Sequence, residues 1–461
     1  MDPEFLNLIG IEGEELNKEV PRLEKAFGIL KIVPKDIDRA KERVSRIFSM
    51  ELRGMRKIWG IAVKELVDLI LAKEEGKKVA YGSYPPLSEL LVAGSLASDD
   101  IYCSPAEAVI DMVLSPMFGP DKVVPILETA ERHGLAPNLA ACSFLKTRLG
   151  AIVNGIVPIP DLLLSFCFLC DQTPKTDEVL HDLYGIPVAY VDNIFEDNGY
   201  GWPEDISQER VEYFASEIRC CAEKFSQVME HELTEEKVRE AVALNANVFR
   251  AAADLREFMK ADPVPLSQSD FMMISRAVYS ATRRGSLEGI EALAILSEEV
   301  KKRINQGVGP VAKGAPRVLL TNAPMDPSPL VTVIEGLGLA IPATSLASAP
   351  IKGTPRAYDS IWEHIAYTLM RRRGAYHSSW GWILQLKELA SVWNVDGLII
   401  FVHLPCRQYE LFPLKAKEVI EKEIGIPVVI IEGDFVDLRD YNAQQTRTRL
   451  ETFAELVKRR K

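Results

Sequence analysis

The amino-acid sequence predicts an α/β fold: two parallel-sheet domains, a helical N-terminal lead-in and a helical middle segment. Two observations carry that expectation. Short runs of unbroken apolar residues, "DLLLSF" and "DGLIIFV" among them, alternate with amphipathic stretches, as strands covered on both faces by helices require. The alternation also occurs twice, in 77–205 and again in 308–461, and the residues between are spaced as helix throughout.

Taken in order, residues 14–75 are charged and helix-periodic. "MRKIWGIAVKELVDLILAKEEG" ends on Gly76, a residue suited to a C-cap, so 1–76 forms the helical lead-in. "KKVAYG" then reads as a strand, followed by a Ser/Pro turn and a helix starting near Leu87. "DLLLSFCF" is a strand, "KTDEVLHDLYG" a helix closed by Gly185, and "IPVAYVD" the next strand. Residues 206–307 form the helical segment, with "QERVEYFASEIRCCAEKFSQVMEHEL" as its opening. "GVGPVAKGAPR" has the Gly and Pro content of an interdomain linker. The second alternation runs through "RVLLTNAP", "EGLGLAIPATS", "VDGLIIFVHLPC" and "IPVVIIEGD". Each half thus has the grammar of a Rossmann/flavodoxin-like sheet, in which ligands gather at the carboxyl ends of the strands. Both "DLLLSFCFLCD" and "DGLIIFVHLPCR" deliver a cysteine to such an end.

Composition narrows the function classes. The chain has 461 residues, with 54 Lys and Arg against 66 Asp and Glu, a net charge of −12. That balance argues against general affinity for nucleic acid or an anionic membrane. The N-terminus lacks a basic start followed by an apolar run, and no long uncharged apolar stretch exists, so the expectation is a soluble cytoplasmic protein with no membrane span. No G-x-x-x-x-G-K-[ST] sequence occurs, so ATP is not placed on this chain.

Seven cysteines (Cys103, Cys142, Cys167, Cys170, Cys220, Cys221 and Cys406) are an odd, irregularly spaced set, unlike a disulfide framework. Cys167 and Cys170 make a C-x-x-C, but bulky Phe168 and Leu169 between them do not favour a thioredoxin-like dithiol. A structural zinc site would want a second close pair, and Cys220 and Cys221 are adjacent in a helical pattern, where successive side chains diverge. One thiolate from each of three loops, at Cys142, Cys170 and Cys406, could hold an iron–sulfur cluster with one iron open. Residue chemistry alone leaves all of these open beside plain burial.

A resemblance adds to this. "GSYPPLSELLVAG", "CSFLKTRLG", "PIPDLLLSFCFLCDQTPK", "VDGLIIFVHLPCRQ" and "GIPVVIIEGDFVDLRDYNAQQTRTRLETFAELV", in this order, resemble the 2-hydroxyacyl-CoA dehydratase and benzoyl-CoA reductase family, from about residue 77 to 458. The resemblance implies a [4Fe–4S] cluster held by Cys142, Cys170 and Cys406, with Cys167 left as a buried strand residue. It implies the cluster-bearing subunit of an ATP-activated radical dehydratase, which removes water from a 2-hydroxyacyl-CoA through a ketyl radical. The implied partners are the acyl-CoA, a homologous second subunit and a separate ATP-dependent activator iron–sulfur protein. A benzoyl-CoA-type reductase subunit is the alternative that the same cysteines allow. A double-cubane reductase of small molecules is favoured if Cys103 and Cys167 face Cys142, and a non-catalytic electron-transfer subunit is the last alternative.

Glu89 matches a carboxylate that the family places near the open iron, where it could move the proton of a water or hydroxyl ligand. Its bland reading is a first-turn acid favoured by the helix dipole. Ser83 is a weaker candidate beside it. His403, on the strand before Cys406, is a second proton-carrier candidate or a satisfied core histidine. His377 and the run Arg371, Arg372 and Arg373 are candidates for an adenine or phosphate pocket, or else a solvated face.

Overall fold

The computed structural model describes residues 1–83, 87–136, 141–167, 170–192, 206–345, 356–371, 379–406 and 412–460. The lead-in is four helices, α1 (Pro3–Leu8), α2 (Glu15–Ile29), α3 (Pro34–Ile47) and α4 (Arg53–Leu71). α4 is apolar nearly all round and accordingly buried nearly all round, with Trp59 fully enclosed. It ends at Leu71, earlier than Gly76. That glycine, at φ +79°, closes the following turn by donating its N–H to the Lys73 carbonyl.

The first sheet is β1 (Lys78–Gly82), β2 (Ile101–Ser104), β3 (Leu162–Phe166) and β4 (Val188–Val191), ordered β2-β1-β3-β4 and parallel throughout. Between the strands lie α5 (Ser88–Ala97), α6 (Ala106–Val113), α7 (Pro120–Arg132), α8 (Ser143–Val153) and α9 (Gln172–Tyr184). Gly185, in the left-handed conformation, ends α9 as expected. The sequence reading did not single out β2, which at four residues is too short to show a period.

The middle is helical, as expected, but in four pieces: α10 (Gln208–Met229), α11 (Glu235–Phe258), α12 (Gln268–Ser280) and α13 (Thr282–Gln306). Ser207, Thr234 and Ser267 cap the first three with their side-chain oxygens. α13 packs along α4, which joins lead-in to middle.

The second sheet is β5 (Arg317–Leu320), β6 (Ala340–Thr344), β7 (Gly397–His403) and β8 (Val428–Gly433), ordered β6-β5-β7-β8 and again parallel. Its helices are α14 (Val331–Gly336), α15 (Ile361–Met370), α16 (Ser379–Val392), α17 (Pro413–Glu423) and α18 (Ala443–Arg460). The two sheets share one strand permutation, whose topological switch falls between β1 and β3 in the first and between β5 and β7 in the second.

Strand alternation sorts the side chains into cores. Tyr81, Leu163, Leu398 and Ile400 face one continuous core that also takes in the lead-in helices. Leu162, Leu164 and Phe166 face a second core under α5 and α10. Ile399 and Phe401 face a third with Phe453 of α18. α15 follows the second sheet's first two strands yet packs on α10, in the first sheet's outer core.

Candidate functional site

Each of the three expected cysteines sits where a regular element starts or stops. Cys142 is the N-cap of α8, Cys170 stands two residues before α9, and Cys406 follows β7 in a turn that its own N–H closes on the His403 carbonyl at 2.8 Å. Gln172, the first residue of α9, ties these loops together. Its Oε1 accepts the Cys142 N–H at 2.6 Å, and its Nε2 donates to the Pro405 carbonyl at 2.7 Å. One buried amide thereby joins the three cysteine-bearing segments.

Behind the cysteines the helices are fastened to each other. Arg148 of α8 and Asp177 of α9 form an ion pair with no solvent exposure. Lys146 of α8 donates to Glu131 at 3.0 Å, and Arg439, beyond β8, reaches the same carboxylate at 2.5 Å. The two cations hold the Glu131 carboxyl below the usual range, Arg439 contributing most. Glu131 is thus a strap between the halves of the chain.

The Cys142 thiol is pushed well up, chiefly by burial and then by the Asp434 carboxylate, with the neighbouring Cys170 and Cys406 adding to it. The other two thiols therefore lie within electrostatic reach of Cys142. His403, at the end of β7, presents Nε2 to the Cys142 sulfur at 3.4 Å, while its Nδ1 accepts the Phe435 N–H at 3.1 Å. Its ring stacks on Phe435 with centroids 4.0 Å apart and planes at 22°, and Phe144 of α8 packs on the same phenylalanine. Burial lowers the His403 pKa, and the nearby Asp434 carboxylate opposes that only in part, so the imidazole stays neutral. Beside it opens a small pocket of about 220 Å³, counting its mouth, lined by Thr321, Asn322, Ser345, Phe401, His403 and Phe435. It lies at the carboxyl edge of the second sheet, at the switch point.

Among the described residues no group of three or more His, Cys, Asp or Glu side chains is placed to hold a single metal ion. A cubane cluster is a different demand, because it takes its thiolates at separate corners. The donor set suits one: three soft sulfur ligands from three loops tethered by Gln172. Two of the sulfurs lie at helix starts, where the dipole favours a thiolate.

The other candidates are placed as follows. Ser83, just past β1, is buried and accepts the Phe166 N–H at 3.2 Å, which sets it on the same sheet edge as the Cys170 loop. Glu89, the second residue of α5, is also buried, and Ser88 Oγ bonds its carboxylate at 3.2 Å. Cys103 lies in the outer core of the first sheet, its thiol pushed up to about 12 by burial. Cys103 therefore lies in a different core from the one Cys142 packs against. Cys167 is raised to about 11 by burial and by Asp192, Asp177 and Glu178, so it stays a neutral thiol, with Ser165 as its side-chain neighbour. Cys220 is exposed. Arg371 caps the end of α15 with its guanidinium over Tyr367, whereas Arg372, Arg373 and His377 lie outside the described residues. Sequence reasoning missed Gln172, Asp434 and Phe435. The last two lie in the most family-like stretch, and a lone glutamine gives no signal.

Two parallel sheets that bring cysteine-bearing loops to the carboxyl ends of their strands place the chain among the doubly wound α/β proteins. Residues 102–457 match the family described as 2-hydroxyglutaryl-CoA dehydratase, D-component, and the chain belongs to that family. It is 22% identical over 343 residues to the (R)-phenyllactyl-CoA dehydratase alpha subunit of Clostridium sporogenes, covering 72% of this chain and 79% of that one. With the (R)-2-hydroxyisocaproyl-CoA dehydratase alpha subunit of Clostridioides difficile it shares 21% over 356 residues, 73% and 81% of the two chains. With a benzoyl-CoA reductase subunit of Thauera aromatica it shares 21% over 355 residues, 71% and 78%. No helix among the described residues is long and apolar enough to cross a membrane.

Proposed function

We propose that this chain is the iron–sulfur subunit of a 2-hydroxyacyl-CoA dehydratase, working with a second, homologous subunit and a separate ATP-dependent activator. The observation that carries the reading is the joining of the Cys142, Cys170 and Cys406 segments through Gln172. Cys142, Cys170 and Cys406 would hold a [4Fe–4S] cluster, which when bound supplies one-electron chemistry and Lewis acidity.

The protein's own part is positional. Gln172 and the Arg148–Asp177 pair fix the loops, and the packed rings of Phe144 and Phe435 hold His403 beside Cys142. Glu89 is the proposed proton carrier for the departing hydroxyl, with Ser83 beside it on the first sheet's edge. The proposed CoA contacts include Arg371. Similarity to a benzoyl-CoA reductase subunit supports a second reading, in which the product keeps the electrons.

The test is anaerobic purification followed by iron and sulfide analysis, then assays with a panel of 2-hydroxyacyl and aromatic acyl-CoA esters plus activator and ATP. About four irons per chain and water loss from a 2-hydroxyacyl ester are expected. Full iron with reduction of an aromatic ester alone selects the second reading. A chain that binds no iron sinks both, and about eight irons point to a double cubane.

A further inference from the structure

His403 is engaged at both ring nitrogens, and the two engagements fix its tautomer. The Phe435 N–H, 3.1 Å from Nδ1, is a backbone donor and nothing else, so Nδ1 presents a lone pair. The proton of the neutral ring is then on Nε2, which lies 3.4 Å from the Cys142 sulfur. Asp434 accepts the Val436 and Asp437 N–H groups on Oδ1, at 2.8 and 3.0 Å, and its Oδ2 stays 3.8 Å from Nδ1, beyond hydrogen-bond length. The ring has no freedom to leave. It closes the seven-residue strand β7, is 1% exposed, and lies flat against Phe435, which Phe144 backs from the Cys142 helix.

We propose that His403 is a positioning residue that acts through Cys142: its Nε2–H is donated to the Cys142 sulfur and raises the reduction potential of the iron–sulfur cluster held there. The proposal rests on the cluster reading above and gives His403 a role other than proton carriage. A group that carries protons to substrate needs a nitrogen free to exchange, and both of these are taken by the protein. A donor on a ligand sulfur does something else. Reduction adds negative charge that the sulfurs share, and an N–H aimed at one of them stabilises the reduced form more than the oxidised. Leu is close in bulk to His and offers no donor, whereas the Gln amide keeps an N–H.

The experiment compares the anaerobically purified wild-type chain with His403→Leu and His403→Gln, by iron and sulfide content and by potentiometric titration of the cluster's paramagnetic signal. Full iron in all three is expected, with the midpoint of His403→Leu shifted to more negative potential and that of His403→Gln moved back toward wild type. Wild-type protein labelled with ¹⁵N-histidine should also show, in its reduced state, a weak nitrogen coupling in pulsed electron paramagnetic resonance. That coupling decides the matter if His403→Leu loses its iron. Equal midpoints at full iron, or a wild-type cluster without the coupling, overturn the proposal and leave the cluster reading standing. A wild-type chain without iron overturns both.

Discussion

The two sheets have the same four-strand permutation, and yet they contribute differently at their carboxyl edges. The first half presents thiols at helix starts, Cys142 at α8 and Cys170 just ahead of α9, with Ser83 and Glu89 near the end of β1. The second half presents its groups on or directly after one long strand, His403 as the last residue of β7 and Cys406 three positions on. Helix starts carry a partial positive charge and suit anionic ligands, and a central strand gives a buried ring an invariant place. One topology used twice has thus been divided between charge stabilisation on one side and rigid placement on the other.

The sharpest way to break this division is to remove the thiols. Cys142→Ser, Cys170→Ser and Cys406→Ser are each expected to lose most of the bound iron, whereas Cys167→Ser, at a thiol partnered by Ser165 at the end of β3, keeps it. Iron and sulfide analysis of the four variants checks this, and full iron in any of the first three contradicts the site. Next in size is Glu89→Gln, which keeps iron while turnover falls by about 10²–10⁴ if the carboxylate carries the proton. Turnover within a factor of about two of wild type, far short of that contribution, would leave Glu89 a helix-start acid.

Gln172→Leu tests the bridge between the halves. It leaves every thiol in place but removes the acceptor for the Cys142 N–H and the donor to Pro405. Losing a partner that orients a metal's ligands typically costs about 10–100-fold in metal affinity, and competition with a chelator measures it. The smallest effect concerns Glu335, at the end of α14, which runs back to the opposite edge of the second sheet from the site. Burial raises its carboxyl to about 7 against the opposing bonds from Gln268 and Ser267. The folded chain therefore keeps a proton that the unfolded chain sheds near its ordinary value of 4.5. This stabilisation is complete below that ordinary value and is lost as pH rises through the folded one, at up to about 1.4 kcal/mol per pH unit. Denaturant titrations of Glu335→Gln should show a shallower fall in stability over that window, with cluster content unchanged.

Much of this layout was legible in the sequence, and particular residues show why. Apolar runs marked "LLLSF" and "GLIIFVH" because buried parallel strands need them, and Gly185 marked the end of α9 because only a glycine adopts its left-handed turn without strain. The strand β2 escaped for want of length, and the breaks in the helical middle escaped because Ser and Thr caps do not interrupt an apolar spacing. At the site, Cys142, Cys170 and Cys406 were singled out by their strand-end loops and by the resemblance, and Gln172 ties their segments together in the structure. Gln172 was beyond reach, since its importance lies in two backbone partners, 30 and 233 residues away.

The crossing of α15 onto the first sheet has a consequence for how the chain comes into being. The outer core of that sheet includes Ile361, Trp362, Ile365 and Leu369, side chains encoded roughly 180 residues after β4 ends. At ribosomal speeds of about 5–20 residues per second, that stretch takes about 9–36 s, and α10 waits through most of it for this cover. Through that interval the face of α10 that α15 covers stands open to chaperones, and to other nascent chains. The two halves are consequently one unit of synthesis: the junction that gathers the cysteines is complete only once nearly the whole protein has been made.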